Sequence, residues 1–414
     1  MQLRRSLAAS VSVGAAWLGL ALPAWGQVLE VAPRGTVFIE PSKTSKLTVV
    51  NPTAELKVNP ADWISANIVG EADIVSGATE SLKGGRLSPV DIVSSATKFK
   101  DTRYQVSGAA TVNRDSTKLS VGGSYGTESD YRSMAISVQA ATTFLQKNTE
   151  LSLAYARGFD KVCTMAFAAS DSPSVMLPLD SSQGCFTSAE NRATRKVDLD
   201  NFQTGWTQTW TPVFATQLVL YGALQHGFLE NPYRSVVIAP AGDEALENHP
   251  DNRLRMAAAL RAKYFLKPLR LALTAGARLY RDTWDILGQT YELEAERYVW
   301  PDLRVMVHGR YYTQTEALFW SDDYTGGEPA DGPRGQYWTG DRELSPLSSY
   351  LLGGRFIFKK TADQQKKFGN VLHSFETSFS FDLMKTTLEE FTWGGSKPDD
   401  TLALIGSLGV RAIF

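Results

Sequence analysis

DNRLRMAAALRAKYFLKPLRLALTAGARLYRD, residues 251–282, alternates almost without error. From Arg253, one face carries Arg253, Arg255, Ala257, Ala259, Arg261 and Lys263. The other carries Leu254, Met256, Ala258, Leu260, Ala262 and Tyr264. After a turn at Lys267-Pro268 the pattern resumes, with Leu269, Leu271, Leu273, Ala275, Ala277 and Leu279 set against Arg270, Ala272, Thr274, Gly276, Arg278 and Tyr280. Strict alternation is a strand signal, because successive side chains of a strand point to opposite faces. Runs of roughly ten or more residues, apolar on one side and charged on the other, are too long for most soluble strands. They match strands crossing an outer membrane, with lipid outside and a polar lumen inside.

The start of the chain sets the compartment. Arg4 and Arg5 form a basic opening, an apolar run covers Leu7 to Leu22, and Ala24-Trp25-Gly26 offers small residues at a cleavage position. This reads as a secretory signal peptide over residues 1–26, with a single barrel domain over 27–414. Beyond it no stretch is apolar for the length a membrane helix needs. A net charge of -2 over 414 residues argues against a large nucleic-acid footprint. No Pro/Ser/Gly-rich linker divides the chain.

Other stretches repeat the alternation, separated by turn residues. They run from Val28, Lys46, Trp63, Arg103, Lys118, Tyr131, Leu151, Val197, Phe214, Thr290, Leu303, Tyr350, Phe375 and Thr401. With the opening pair this gives about sixteen strands, between fourteen and eighteen given the usual boundary error. The expected fold is all-β: a transmembrane, antiparallel, up-and-down outer-membrane barrel with short periplasmic turns and long extracellular loops. Trp206, Trp210, Trp300 and Tyr311 sit near strand ends, where an interfacial girdle would place them. The last strand carries Leu402, Leu404, Gly406, Leu408, Val410, Ala412 and Phe414 on one face. That ending resembles the signal by which barrel assembly machinery recognises its substrates, so Phe414 is expected to contact it. The lipid of the outer membrane is the other expected partner.

Cys163 and Cys185 share one Ser/Ala/Asp-rich segment, and in an oxidising compartment they are expected to form a disulfide. No CxxC or CxxCH accompanies them, so no metal or haem is expected.

Charged residues on the inward faces are the candidate site. They are Arg253, Arg255, Arg261, Lys263, Arg270 and Arg278 on the opening pair, then Glu292, Glu294 and Glu296, then Arg304, His308 and Arg310. Folding about the turns is expected to bring Arg278 near Glu292 or Glu294, and Glu294 or Glu296 near His308 or Arg310. Such residues stiffen a barrel wall as ion pairs or line a charged constriction. Cations outnumber carboxylates here, so any path is expected to favour anions. Asp73 and Ser76 recur in near-copy as Asp91 and Ser94, and Asp282, Asp341 and Ser345 sit in similar Asp/Ser settings. Side-chain-to-backbone bonds in turns explain such residues better than a Ca²⁺ loop, which needs more oxygen ligands at fixed spacing.

Four histidines, His226, His249, His308 and His373, accompany neither an HExxH nor a P-loop anywhere in the sequence. Catalysis is not expected.

From Asp73 onward the chain resembles an outer-membrane barrel family catalogued as the domain of unknown function numbered three-five-seven-zero. The pieces that carry the resemblance are ADIVSGAT and VDIVSSAT, FKDTRY, TGWTQTWTP, HGFLENPYRSV, HPDNRLRMA, LYRDTWDI, RYYTQTEALFW and TGDRELSPLSSY, in that order. The resemblance implies the barrel and brings no activity or cofactor. Its members often occur beside envelope redox components, so it also implies a possible periplasmic or envelope protein partner. Two roles follow as expectations: a channel or transporter for small solutes, or a non-conducting partner that holds an envelope lipoprotein or redox component.

Overall fold

The computed structural model describes residues 28–41, 46–79, 83–84, 97–164, 185–186, 193–231, 235–238, 243–324, 335–362, 371–392 and 397–414. The expected signal peptide, Asp91 and Ser94 lie outside these residues, and of Ser76 only the backbone is described.

Nineteen strands occur among them. The first nine are β1 (Val28–Pro41), β2 (Lys46–Ala61), β3 (Ile64–Thr79), β4 (Lys83–Gly84), β5 (Thr97–Arg114), β6 (Thr117–Thr127), β7 (Tyr131–Phe144), β8 (Thr149–Cys163) and β9 (Thr194–Thr211). The rest are β10 (Phe214–Gly227), β11 (Ser235–Ile238), β12 (Asp243–Leu246), β13 (Asn252–Leu266), β14 (Leu271–Asp282), β15 (Leu287–Trp300), β16 (Leu303–Gln314), β17 (Leu347–Thr361), β18 (Ser374–Leu388) and β19 (Thr401–Ile413). All but β4, β11 and β12 form one closed barrel of sixteen antiparallel strands, each beside its sequence neighbour. The seam joins β1 to β19, pairing Arg34 with Gly409 and Val37 with Gly406. Phe414 extends the seam by donating its N–H to the Leu29 carbonyl at 2.9 Å.

Closure matters because an open edge in hydrocarbon would leave N–H and C=O groups without partners. The alternation then decides what each face meets. Leu260, Leu293 and Leu352 are 55%, 69% and 65% exposed on the outer wall. A soluble protein could not present such a continuous apolar belt, whereas a bilayer requires it. Trp63, Trp210 and Trp300 lie exposed at the short-turn ends of their strands, and Tyr311 stacks on Tyr350 on the outer wall, ring centroids 4.8 Å apart. The chain is therefore an outer-membrane barrel.

The turn between β13 and β14 corrects one expectation. Lys267–Leu269 form a single 3-10 turn, with Pro268 inside it and Arg270 ending it in the left-handed region at φ 50°. The strand resumes at Leu271, so Arg270 sits exposed in the turn and not on the lumen wall. The alternation on either side keeps its phase, and Arg270 drops out of the wall because it ends the turn one residue before β14 begins.

Long connections at the other end of the barrel build a lid. The segment between β10 and β13 holds the hairpin β11–β12, against which β4 adds in parallel. Short bridges pair Asn248 with Trp338 and Trp320 with Thr339. The Trp338 indole N–H reaches the Leu246 carbonyl at 2.8 Å, and the Gly340 N–H reaches Glu247 Oε1 at 3.0 Å. Asp322 Oδ2 accepts from the Thr392 N–H at 2.9 Å, tying in the β18–β19 connection. Not every outer connection is long, since Glu128–Asp130 and Thr283–Ile286 are tight turns. The lid holds the hydrophobic core found among the described residues: Trp284, Ile286, Ala317 and Leu344, with Leu229, Tyr280, Phe319 and Trp320 packed against them.

Cys163, at the outer end of β8, is bonded to Cys185 as expected. The Phe186 N–H donates to the Ser129 carbonyl at 3.0 Å, and the Arg132 guanidinium lies 4.2 Å from the Phe186 ring centre. The bridge thus anchors this stretch to the β6–β7 turn.

Candidate functional site

The inward residues of β13 to β16 meet beneath the lid. Their heights follow from register. Arg255 lies opposite Asp282, and Arg278 lies opposite Ala259 on one side and Thr290 on the other. Thr290 lies opposite Tyr312, and Glu292 lies opposite Arg310. The tight Thr283–Ile286 turn sets this β14–β15 register. It places Arg278 directly opposite Thr290, with Glu292 the next inward residue along β15 and on the same cavity wall.

Asp282 organises the outer end. Its side chain is fully buried, at 0% exposure, while Arg253 keeps 13%. Asp282 Oδ2 accepts from Arg253 Nε at 2.9 Å, from Arg253 Nη2 at 2.5 Å and from the Tyr280 hydroxyl at 2.6 Å. Asp282 Oδ1 accepts the backbone N–H groups of Trp284 and Ile286 at 3.0 and 3.1 Å. One carboxylate thus holds a turn, a strand and a cation at once. The Arg253 guanidinium also covers the Trp284 ring at 3.9 Å from its centre. Arg253, expected as a lumen cation, is consequently a structural cation of the lid, paired with an acid 29 residues further along the chain.

Two lumen ion pairs span three strands. Arg261 on β13 meets Glu292 on β15 at 3.1 Å, and the β14 residue paired with both is Gly276. His308 on β16 meets Asp382 on β18 at 2.9 Å, and the β17 residue paired with both is Gly353. Strands two apart lie about 10 Å from each other, so such pairs form only where the middle strand lacks a side chain. Sequence reasoning missed Asp382 as the partner of His308. Glu294 is opposite His308 in register, but the ion pair runs the other way round the wall. Glu296 is paired with Arg304 at 3.1 Å. Lys263 faces the lumen nearer the short-turn end, opposite Ala215 and Thr274.

Of the Asp/Ser positions, Asp73 accepts from Asn51 Nδ2 at 2.6 Å. Asp341 caps a short 3-10 turn by accepting the Glu343 N–H at 2.8 Å, and the Ser345 hydroxyl donates to the Arg342 carbonyl at 2.6 Å. Each of these contacts holds local backbone or a neighbouring strand.

Two cavities fill the outer part of the lumen. One, of about 790 Å³, lies directly under the lid against Trp284, Ile286 and Leu344. The other, of about 490 Å³, lies deeper against Arg261, Gln217 and Glu292. Arg255, Arg278, Tyr280, Thr290 and Arg310 line both, so they form the neck between them. Arg255 Nε donates to the Tyr280 hydroxyl at 3.0 Å, which in turn donates to Asp282. Among the described residues, Arg255, Arg278 and Arg310 have no carboxylate partner. The two acids closest in register, Asp282 and Glu292, are engaged by Arg253 and Arg261.

The upper cavity has another wall, where the Tyr131 hydroxyl donates to Asp160 and Glu230 enters from the lid. Burial pushes the Glu230 carboxyl above the ordinary glutamate value, against the pull of His249 and Arg195.

The family described as Protein of unknown function (DUF3570) matches residues 38–378. The chain belongs to that family. No curated protein matches it. Solved structures similar to it include a bacterial polysaccharide outer membrane secretin, 8% identical over 93% of this chain and 98% of that one, with a TM-score of 0.46. OpdQ of Pseudomonas aeruginosa is 8% identical over 94% and 99%, at 0.42. OccD3 of the same organism is 10% identical over 93% and 91%, at 0.41. At such scores the likeness adds nothing to the barrel already traced strand by strand.

Proposed function

We propose that this barrel is a channel for small solutes with a bias toward anions, entered under the lid and constricted at the Arg255–Arg278–Arg310 neck. The observation that supports it is the neck itself: three guanidiniums shared by two cavities, with their neighbouring acids committed elsewhere. Charge on a constriction selects permeants because the narrowest point is also the least hydrated. Arg261 contributes less than the sequence suggested, since Glu292 offsets it at the same height. Lys263 extends the cationic wall toward the short-turn end, where Glu296 offsets Arg304. Phe414, at the end of β19, serves recognition by the assembly machinery.

Planar-bilayer recordings of the purified barrel test this reading. Replacing Arg255, Arg278 and Arg310 by Gln is expected to abolish anion preference while the barrel still inserts. A barrel that carries no current and instead co-purifies with an envelope lipoprotein contradicts it.

A further inference from the structure

Resting on that reading, we infer that the neck is a binding site for a multiply charged oxyanion, a phosphate-bearing or polycarboxylate solute, and not a general anion filter. The inference starts from the donors. Guanidinium groups donate in a planar fork and accept nothing. Three of them line the boundary shared by the two cavities. Arg255 is held from behind, because its Nε is committed to the Tyr280 hydroxyl and that hydroxyl to Asp282. Asp282 itself receives Arg253, Tyr280 and two backbone N–H groups, which saturates both its oxygens. This relay fixes the direction of Arg255 and removes the carboxylate that would otherwise neutralise it.

Charge balance then decides the class of ligand. A monovalent anion leaves most of the three positive charges uncompensated, with Arg278 and Arg310 both exposed in the lumen and Arg255 half-buried beside them. A di- or trianion with several oxygens matches both the charge and the number of forked donors. The other hydroxyls at this height suit the same ligand. Thr290 lies between Arg278 and Tyr312 in register. The Tyr312 hydroxyl gives its proton to Gln314 Oε1 at 2.6 Å, so Tyr312 orients the wall beside Arg310 without offering a competing negative charge.

Two measurements on the purified barrel test the inference, and the second of them does not depend on conduction. The first is block of chloride current in a bilayer by inorganic pyrophosphate, citrate or acetate. The second is quenching or enhancement of tryptophan emission by the same probes in detergent, read against W284F because Trp284 lines the upper cavity. Pyrophosphate or citrate is expected to act at concentrations at least about tenfold below acetate, as charge-assisted forked bonds imply. Arg278→Gln and Arg310→Gln are each expected to weaken this by roughly tenfold, and Arg278→Lys by less, since charge survives without the fork. Arg281→Gln, on the outer wall, should leave it unchanged. If citrate wins over pyrophosphate the ligand is a polycarboxylate, and the reverse order assigns a phosphate. Equal potency of acetate and both polyanions overturns the inference even if the channel conducts. Polyanion binding in detergent that R278Q removes upholds the inference even if no current flows.

Discussion

His308 and Asp382 form an ion pair across a strand that belongs to neither of them. The gap is Gly353, where an added Cβ would collide with Asp382 Oδ1 and lie 2.9 Å from His308 Cε1. Gly353→Ala is expected to break the pair and to cost about 1–3 kcal/mol, the usual range for overpacking a fitted site. Urea unfolding in micelles measures this. In an Asp382→Ala background, where the collision is gone, the same alanine should cost much less; full additivity would contradict the geometry.

Asp282 gives the second prediction. Removing one partner of a buried ion pair strands the other, at a cost of about 3–5 kcal/mol. Asp282→Ala is therefore expected to loosen the lid, because the Arg253 side chain and the Trp284 and Ile286 amides lose their acceptor together. Trp284 emission should shift to longer wavelength and the lid segments should become protease-sensitive, while the barrel strands keep their circular dichroism. A protected lid in D282A would count against the role assigned to this carboxylate.

Glu230 makes lid stability depend on pH in a stated direction. Its carboxyl is raised by burial, so the folded lid holds the proton more tightly than the unfolded chain does. The stabilising share is complete below the ordinary glutamate value of 4.5 and is lost as pH rises through the raised one. Amide exchange at Asn248 and Trp338, which bridge the lid, should speed up across that rise beyond its intrinsic pH dependence. Glu230→Gln should flatten the excess. An identical excess in E230Q would place the titrating group elsewhere.

Most of the fold was legible because alternation is a local signal. The leucines and arginines of β13 read correctly one residue at a time, and sixteen strands followed from counting such runs. The site was legible only in composition. Arg255, Arg278 and Arg310 were visible as inward cations, but their neck depends on register and on the lid. His308 found Asp382 through a glycine 45 residues after it in sequence and a strand further on, which alternation alone does not encode. Arg270 failed for a different reason: the proline turn keeps the phase of the alternation but ends only at Arg270 itself, so the strand begins one residue after it. The hairpin β11–β12 was hidden because four-residue strands in a loop are too short to show a period.

The Cys163–Cys185 bridge closes a segment with a sequence separation of 22. By the chain-entropy relation a loop of that size is worth about 3 kcal/mol. Replacing both cysteines by serine is expected to leave the barrel folded and free the Phe186 contact with the β6–β7 turn. Limited proteolysis between β8 and β9 should then accelerate. Unchanged cleavage would show that the segment is held by other contacts.

The account turns on the sign of the field at the neck. The direct measurement is the reversal potential of the purified barrel in a planar bilayer under a potassium chloride gradient. It is predicted to lie on the chloride side of zero and to move to zero or beyond when Arg255, Arg278 and Arg310 are replaced by Gln together. A wild-type reversal potential on the potassium side, or one unmoved by the triple replacement, would contradict it.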